Sequence, residues 1–147
     1  MTVTVRTADT QALRDAAMDL RIRVFVVEQK VPEELERDEH DAHAFHVIAL
    51  DGQGRAVGTG RMYRQENPEG PVARVGRMAV DPAARRGRIG ARLLEALEVE
   101  ARRQGLPEVE LHAQCHVEAF YARAGYVRAG DVFEEAGIAH VVMRKRL

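Results

Sequence analysis

A basic, glycine-containing loop between a largely apolar run and an amphipathic segment constrains this chain more than any other feature. Residues 75–80 are typical of a buried strand, and Asp81-Pro82 ends it. The loop 85–90 follows with three arginines and two glycines, and helical periodicity begins directly after it. A helix start behind such a loop offers unpaired backbone N–H groups and the positive end of the helix dipole, which favour a bound pyrophosphate. A solvated arginine cluster at an ordinary helix start fits the same residues, so the loop alone leaves both interpretations open.

Length, charge and motif content exclude several classes of protein. The loop matches neither the P-loop pattern G-x-x-x-x-G-K-[ST] nor the Rossmann pattern G-x-G-x-x-G. The 147 residues predict one domain, 1–147, that buries about 70% of its unfolded surface. A net charge of −1 gives no overall attraction to nucleic acid or to membranes. The single cysteine, Cys115, suits a reducing compartment, and we therefore expect a soluble cytoplasmic protein.

Hydrophobic periodicity divides the chain into strands and helices without linkers or repeats. Helical spacing predicts helices over about 10–27, directly after the basic loop, and over 116–124. This order predicts a mixed sheet with helices packed on its faces. Alternating or continuous apolar runs predict strands over 2–6, 45–50, 55–63, 72–80, 109–113, 126–131 and 138–143.

Four blocks of sequence carry a resemblance to a known family. Residues 85–90 read Arg-Arg-Gly-Arg-Ile-Gly, and 23–29 read Arg-Val-Phe-Val-Val-Glu-Gln, followed by Val31-Pro32. The other blocks are Ala113-Gln114 with Phe120-Tyr121 and Gly125-Tyr126, and residues 133–140. Together they resemble the GNAT superfamily of N-acetyltransferases, in its ElaA-like and YjcF-like branch, over nearly the whole chain. The family's acetyl-CoA loop reads [RQ]-x-x-G-x-[GA]. Arg88 stands where the family usually has glycine, and we expect the neighbouring Gly87 to supply the backbone freedom.

The resemblance implies a fold and a cofactor. The implied fold is the GNAT acyl-CoA N-acyltransferase fold, an α/β structure with a central mixed sheet of about seven strands flanked by helices. Acetyl-CoA, the implied acyl donor, is held in this family where the fourth and fifth strands splay apart. The cofactor-binding residues that the resemblance implies are Met78, Ala79, Val80, Arg85, Arg86, Gly87, Arg88, Ile89, Gly90, Ala91 and Gln114.

Acetyl transfer to an amine requires a positioned thioester, an amine that loses a proton and a thiolate that gains one. By the resemblance, Tyr121 matches the tyrosine that family members place near the thioester sulfur as general acid. A phenol with the ordinary pKa near 10 is protonated at neutral pH, as this role requires. The alternative is a core tyrosine that follows Phe120.

The proton acceptor is marked less clearly. The fourth strand carries Arg74 and Arg77 but lacks the glutamate that many GNAT enzymes place there. Glu28 is the first candidate and is also predicted to attract a cationic amine. His112, His140 and ordered water stay open as alternatives. In a GNAT fold the acceptor pocket is expected across the sheet from the loop 85–90. The predicted substrate-binding residues are Glu28, Gln29, Glu134 and His140.

The stretch 28–43 is rich in charge and is predicted to be a solvated loop. His40 and His43 lie among its carboxylates, but their spacing matches no standard zinc signature, so no metal site is predicted. Cys115 is interpreted as a small packing residue, because GNAT transfer is direct. The acidic residues of this stretch are Glu33, Glu34, Glu36, Asp38, Glu39 and Asp41.

The sequence thus predicts an acetyl-CoA-dependent N-acetyltransferase that acetylates a primary amine, most simply of a small molecule, by direct attack. The alternative is a non-catalytic CoA-binding sensor or regulatory module of the same fold. Binding to nucleic acid is not expected, because the arginines lack interleaved aromatic residues. The oligomeric state stays open, with a homodimer among the alternatives.

Overall fold

The computed structural model describes residues 2–85 and 87–147, without the side chains of residues 34 and 35, and it arranges them around one mixed sheet. The helices are α1 (Gln11–Arg21), α2 (Glu33–Glu36), α3 (Ile89–Arg103) and α4 (Glu118–Arg123). The strands are β1 (Thr4–Thr7), β2 (Phe45–Leu50), β3 (Ala56–Asn67), β4 (Gly70–Val80), β5 (Glu108–Gln114), β6 (Val127–Arg128), β7 (Phe133–Glu135) and β8 (Ile138–Arg146).

The sheet follows the order β1-β2-β3-β4-β5-β8-β6, and β7 pairs with β8 beside this path. Only β4 and β5 run parallel among these pairs; the others are antiparallel. The prediction of about seven strands missed β7, which has three residues and forms a tight hairpin with β8. Ala136 and Gly137 make the turn with positive φ angles of 53° and 76°. A strand this short is too brief for alternation to reveal it.

The helices cover opposite faces of the sheet. On one face Leu93, Leu94 and Leu97 of α3 are fully buried in the main core. The sheet leaves room for α3 at Gly58 of β3, where an added Cβ would lie 2.8 Å from Leu93 Cδ1. Each buried leucine contributes roughly 1.5–3 kcal/mol, so α3 is firmly fixed to the sheet. On the other face, Leu20 of α1 belongs to a second buried cluster, together with Ala79 of β4.

The helix predicted over 10–27 changes its geometry part-way. Regular α-helix ends at Arg21, and wider π-type turns continue over Ile22–Glu28. Two consecutive residues of this segment, Val24 and Phe25, are both buried in the second cluster. In an α-helix, consecutive side chains point about 100° apart. The segment therefore ends with Glu28 and the next residue, Gln29, beside the sheet. Short π-helical insertions occur frequently at functional sites.

Candidate active site

A cleft opens between β4 and β5, where the two parallel strands stop pairing. Their ladder covers Ala73–Val75 and residues 109–111, while both strands continue for several residues beyond it. Past this point β4 pairs with β3, and β5 pairs with β8. A bulge at Arg77, with a φ angle of 53°, shifts the register of β4 against β3. The edge of β4 that faces the cleft thus pairs with no strand of the described residues there, and this edge includes the predicted residues Met78, Ala79 and Val80.

The basic loop connects the end of β4 to the start of α3. A single 3₁₀ turn, Pro82–Ala84, comes first, and Asp81 caps it by accepting a hydrogen bond from the Ala83 N–H. The Arg88 side chain makes no capping hydrogen bond to α3, and the first turn of the helix contains no acidic residue. The first N–H groups, from Ile89 to Ala91, therefore face outward with the positive end of the dipole. Arg86 lies outside the described residues.

Arg88, which stands where the family pattern has glycine, adopts a left-handed backbone conformation that glycine takes at no steric cost. Its φ angle is 58°, in the left-handed region. Arg88 therefore adopts the left-handed conformation itself, and the expectation that Gly87 supplies backbone freedom stays a prediction. Gly90 allows α3 to pack closely against α4, because an added Cβ would lie only 3.3 Å from Cζ of Phe120 on α4. The loop thus keeps its shape with an arginine where a left-handed residue is required, at a cost of roughly 1–2 kcal/mol.

Arg85 connects the loop to the end of the π-helical segment. Its guanidinium donates two hydrogen bonds to the Glu28 carboxylate, at 2.8 and 3.0 Å, and its Nε donates to the Val80 carbonyl at 2.9 Å. Both charged side chains are about 40% exposed, at 43% for Arg85 and 39% for Glu28. Glu28 was predicted to lie across the sheet from the loop, and the structure instead brings it into direct contact with the loop.

Tyr121 lies on α4, buried on the face of the sheet that α3 covers. Its ring packs edge-on against Phe120 and Tyr126. Burial raises the pKa of Tyr121 to about 12, so the prediction of an ordinary phenol pKa near 10 was wrong. The conclusion drawn from it, a protonated hydroxyl at neutral pH, is unaffected. Tyr126 is different because its hydroxyl donates to Glu98 Oε2 at 2.8 Å.

Gln114 ends β5, at the wide end of the cleft. Its amide donates a hydrogen bond to Gln29 Oε1 at 2.9 Å. This contact joins a predicted cofactor-binding residue to a predicted substrate-binding residue across 85 positions of sequence. The two sides of the predicted site therefore meet at this end of the cleft.

The hairpin of β7 and β8 separates two residues that were both predicted to bind the substrate, Glu134 and His140. Phe133 pairs with His140, and Glu134 pairs with Ala139, so alternation places Glu134 and His140 on opposite faces. Glu134 is exposed, and its neighbour Glu135 is the carboxylate on the side of His140, with Oε2 3.8 Å from Nε2. The Glu135 Oε1 atom lies 3.0 Å from Nδ1 of His112. Sequence reasoning missed Glu135, and the two-residue period of a recognised β7 would have revealed it.

The acidic stretch after Glu28 is not a solvated loop. The Asp41 carboxylate lies 2.6 Å from the Arg21 guanidinium, whose side chain is only 2% exposed. Asp38 forms a bidentate pair with Arg61 at 2.6 and 2.8 Å. Of the predicted acidic side chains, only Glu33 and Glu39 are described as exposed. The members of this buried ion-pair network are Arg21, Arg61, Arg77, Glu36, Asp38 and Asp41.

The network perturbs the pKa values of its acids in opposite directions. Burial raises the pKa of Asp41, but hydrogen bonds from Arg21 and from the Asp38 backbone outweigh burial, so the pKa lies well below its usual range. For Glu36 the desolvation prevails over the attraction of the arginines, and its pKa is raised. The network also contacts the bulge of β4, because Arg77 Nε lies 3.2 Å from Glu36 Oε1. Through Glu36 and Asp38 it thereby ties the end of α2 and the residues after it to the strand that lines the cleft.

The comparisons with known proteins agree with this geometry. Residues 8–147 match the model of the acetyltransferase (GNAT) domain. The chain belongs to the GNAT family. It is 35% identical to the uncharacterized N-acetyltransferase YjcF of Bacillus subtilis over 136 residues, which is 92% of this chain and 93% of YjcF. It is 30% identical to ElaA of Escherichia coli over 134 residues, 90% of this chain and 86% of that protein.

The fold recurs in a solved relative. The crystal structure of an acyl-CoA N-acyltransferase from Pseudomonas aeruginosa superposes with a TM-score of 0.79 at 33% identity, with 98% of each chain covered. The predicted family, fold and enzyme class are thus confirmed: this GNAT protein is an acyl-CoA-dependent N-acyltransferase. No helix in the described part of the chain is long and apolar enough to cross a membrane.

Proposed function

We propose that this GNAT protein transfers the acetyl group of acetyl-CoA to a primary amine of a small molecule. The observation that carries this proposal is the start of α3, which has no capping side chain or acidic residue and lies directly behind the splayed end of β4. Such a helix start accepts a pyrophosphate, and the cleft beside it accepts an extended arm. We also propose a cytoplasmic location, which the free thiol of Cys115 favours.

The proposed mechanism assigns each part of the cleft a task. The N–H groups from Ile89 to Ala91, with the loop 85–88, hold the pyrophosphate, and the free edge of Met78–Val80 and Gln114 hold the arm that carries the thioester. The neutral amine attacks the thioester carbonyl carbon directly, and the C–S bond then breaks. Tyr121 gives its proton to the departing sulfur. Glu28, Gln29 and His140 are proposed to border the amine, whereas Glu134, on the opposite face, has no place in this site.

A screen tests the proposal. Purified protein and acetyl-CoA are mixed with a panel of monoamines, diamines, amino acids and amino sugars, and the release of free thiol is measured. Calorimetry with acetyl-CoA accompanies the screen. Thiol release with at least one amine, with an acetylated product identified by mass spectrometry, is the expected result. Tight binding of acetyl-CoA without thiol release from any amine would support the non-catalytic CoA-binding module instead.

The contact between Arg85 and Glu28 leads to a paired prediction about acetyl-CoA affinity. Arg85→Ala should weaken binding of acetyl-CoA by about three- to tenfold at low salt, because one partly exposed charge is worth roughly 1 kcal/mol there. Glu28→Gln should leave the affinity unchanged or slightly tighter, since it releases the guanidinium for the phosphates. Calorimetry at two ionic strengths measures both effects.

Salt dependence serves as the internal control for this pair. The loss caused by Arg85→Ala should shrink when the ionic strength rises, because exposed charges are screened. An Arg85→Ala variant that binds acetyl-CoA like the wild type at low salt would remove this residue from the cofactor site. A Glu28→Gln variant with weaker binding would show that the ion pair shapes the loop.

A further inference from the structure

His112 lies at the point where the cleft opens. It follows Leu111, the last residue of β5 that pairs with β4, and its side chain faces away from α3. Tyr121 and the start of α3 lie on or beside the covered face, so an acyl donor held by them leaves the opposite face of the cleft for the amine. The His112 side chain is 22% exposed. Its Nε2 makes no hydrogen bond to any described residue and is not a buried atom, so solvent reaches it.

The Nδ1 atom of His112 has two neighbours that it cannot satisfy together. Arg74 Nη2 lies 2.9 Å from it and Glu135 Oε1 lies 3.0 Å from it. A guanidinium only donates hydrogen bonds and a carboxylate only accepts them, so the protonation of Nδ1 selects one partner. With a proton on Nδ1, the ring donates to Glu135 and Nε2 carries a lone pair. Without it, the ring accepts from Arg74 and Nε2 carries the hydrogen.

The surroundings favour the pairing with Glu135. Arg74 has another acceptor, because its Nη1 donates to Gln65 Oε1 at 3.2 Å. Glu135 Oε1 has only His112 as a hydrogen-bond partner among the described residues. The hydrogen bond from His112 lowers the pKa of Glu135, against the effect of burial, so this carboxylate is ionised at neutral pH. Leaving an ionised, half-buried carboxylate without a hydrogen-bond donor costs more free energy than leaving a guanidinium with one acceptor fewer, because the guanidinium keeps its other acceptor.

The other candidate bases are engaged elsewhere. The Glu28 carboxylate accepts both hydrogen bonds from Arg85. His140 is buried, its Nδ1 lies 2.7 Å from the Ile138 carbonyl, and its Nε2 lies 3.8 Å from Glu135 Oε2. The charged and titratable groups that face His112 in the described structure are Arg74 on β4 and Glu135 on β7, with His140 of β8 behind Glu135.

We propose that His112 is the general base that deprotonates the amine through Nε2, and that Glu135 is the positioning residue that holds the hydrogen on Nδ1. This inference rests on the proposed acetyl transfer. The ammonium group gives one proton to Nε2, and the freed lone pair attacks the thioester carbonyl carbon. When the C–S bond breaks, the nitrogen gives its second proton to solvent, and the sulfur gains a proton from Tyr121, which solvent then reprotonates. His112 returns its proton to solvent, so each turnover releases one proton.

The first test reads the tautomer directly and needs no substrate. Nitrogen-15 NMR of histidine-labelled protein, above the pH at which the ring is protonated, distinguishes the two neutral forms. We expect the Nδ1–H form at His112 in the wild type and in Glu134→Gln, and a shift toward the Nε2–H form in Glu135→Gln. Glu134 is the matched control because it neighbours Glu135 on the other face of the hairpin. An Nε2–H tautomer in the wild type would overturn the proposal, because Nε2 would then carry no lone pair to accept the proton of the amine.

The second test uses the amine that the screen identifies. His112→Gln should lower kcat by roughly 10²–10⁴-fold, and Glu135→Gln by at least about tenfold with a displaced acidic limb of the pH–rate profile. Acetyl-CoA affinity and the KM for the amine should change much less. Unaltered pH–rate profiles in both variants would overturn the role of His112 while leaving acetyl transfer intact. If the proposed function is wrong, the wild type will release no thiol with any amine. The tautomer measurement then still tests whether Glu135 holds the hydrogen on Nδ1 of His112.

Discussion

Replacing Tyr121 with phenylalanine should lower kcat by roughly 10²–10⁴-fold, the usual contribution of a general acid. The hydroxyl has no hydrogen-bond partner among the described residues, and the ring is held by edge contacts with Phe120 and Tyr126 that phenylalanine preserves. The pKa near 12 keeps the hydroxyl protonated over the whole working range of pH. Stability and acetyl-CoA affinity should therefore hardly change, as thermal unfolding and calorimetry can measure beside the rate of thiol release.

Tyr126 provides a matched control with the opposite pattern. Tyr126→Phe removes the same atom from a neighbouring buried ring, but this hydroxyl donates to Glu98, which also pairs with Lys145 at 3.1 Å. The change leaves a buried carboxylate with one donor fewer and should destabilise the protein by about 1–3 kcal/mol. The rate of the folded variant should stay near that of the wild type. Normal turnover in Tyr121→Phe, measured beside this control, would return Tyr121 to the role of a core residue.

The cleft could be predicted from the sequence because its determinants are local. An apolar run, a Pro-containing stop and an amphipathic helix place β4, the loop and α3 within a few residues of their observed bounds. The backbone conformation at Arg88 could not be predicted in the same way. The family pattern expects glycine at this position, and a folded loop can hold an arginine in a left-handed conformation when α3 is fixed by its buried leucines.

The polar half of the site depends on contacts distant in sequence. His112 and Glu135 meet only because β5 and β7 both pair with β8. Composition likewise suggests that a run of acidic residues is solvated, because nothing in the run indicates that arginines on α1, β3 and β4 will reach it. The sequence therefore indicates which residues carry chemistry, while the pairing of the strands decides which of them act together.

Substitutions in the buried ion-pair network should strongly destabilise the protein, and the loss should be larger for a carboxylate than for an arginine. Asp41→Asn removes a carboxylate that accepts from Arg21 at 2.6 Å and from Arg61 at 2.9 Å. Three arginines then face two carboxylates, and a guanidinium cannot lose its proton to relieve the excess charge. We expect a loss of about 3–5 kcal/mol, which lowers Tm by roughly 10 °C in a domain of this size. Thermal and urea unfolding measure it.

Arg21→Met should cost less than Asp41→Asn, because the network can adjust to the loss of a positive charge. Glu36 already has a raised pKa, and removal of Arg21, its largest favourable partner, raises that pKa further. A carboxyl group whose pKa is higher in the folded than in the unfolded state favours folding more as the pH falls through that window. The destabilisation caused by Arg21→Met should therefore shrink between pH 8 and about pH 5.

Asp41→Asn has the opposite pH signature. The pKa of Asp41 is depressed in the folded protein, so its stabilising contribution is complete above the unfolded pKa near 4 and declines only below it. Asp41 also raises the pKa values of Glu36 and His46, so its removal lowers both of them. The cost of Asp41→Asn should therefore stay constant or grow, and not shrink, between pH 8 and pH 5. Arg6→Gln, which breaks an exposed pair with Asp9, is the control and should leave Tm unchanged. If Arg21→Met and Asp41→Asn instead lower the free energy of unfolding equally at every pH, Glu36 does not gain a proton when Arg21 is removed. The assigned balance of three arginines against three carboxylates would then be wrong.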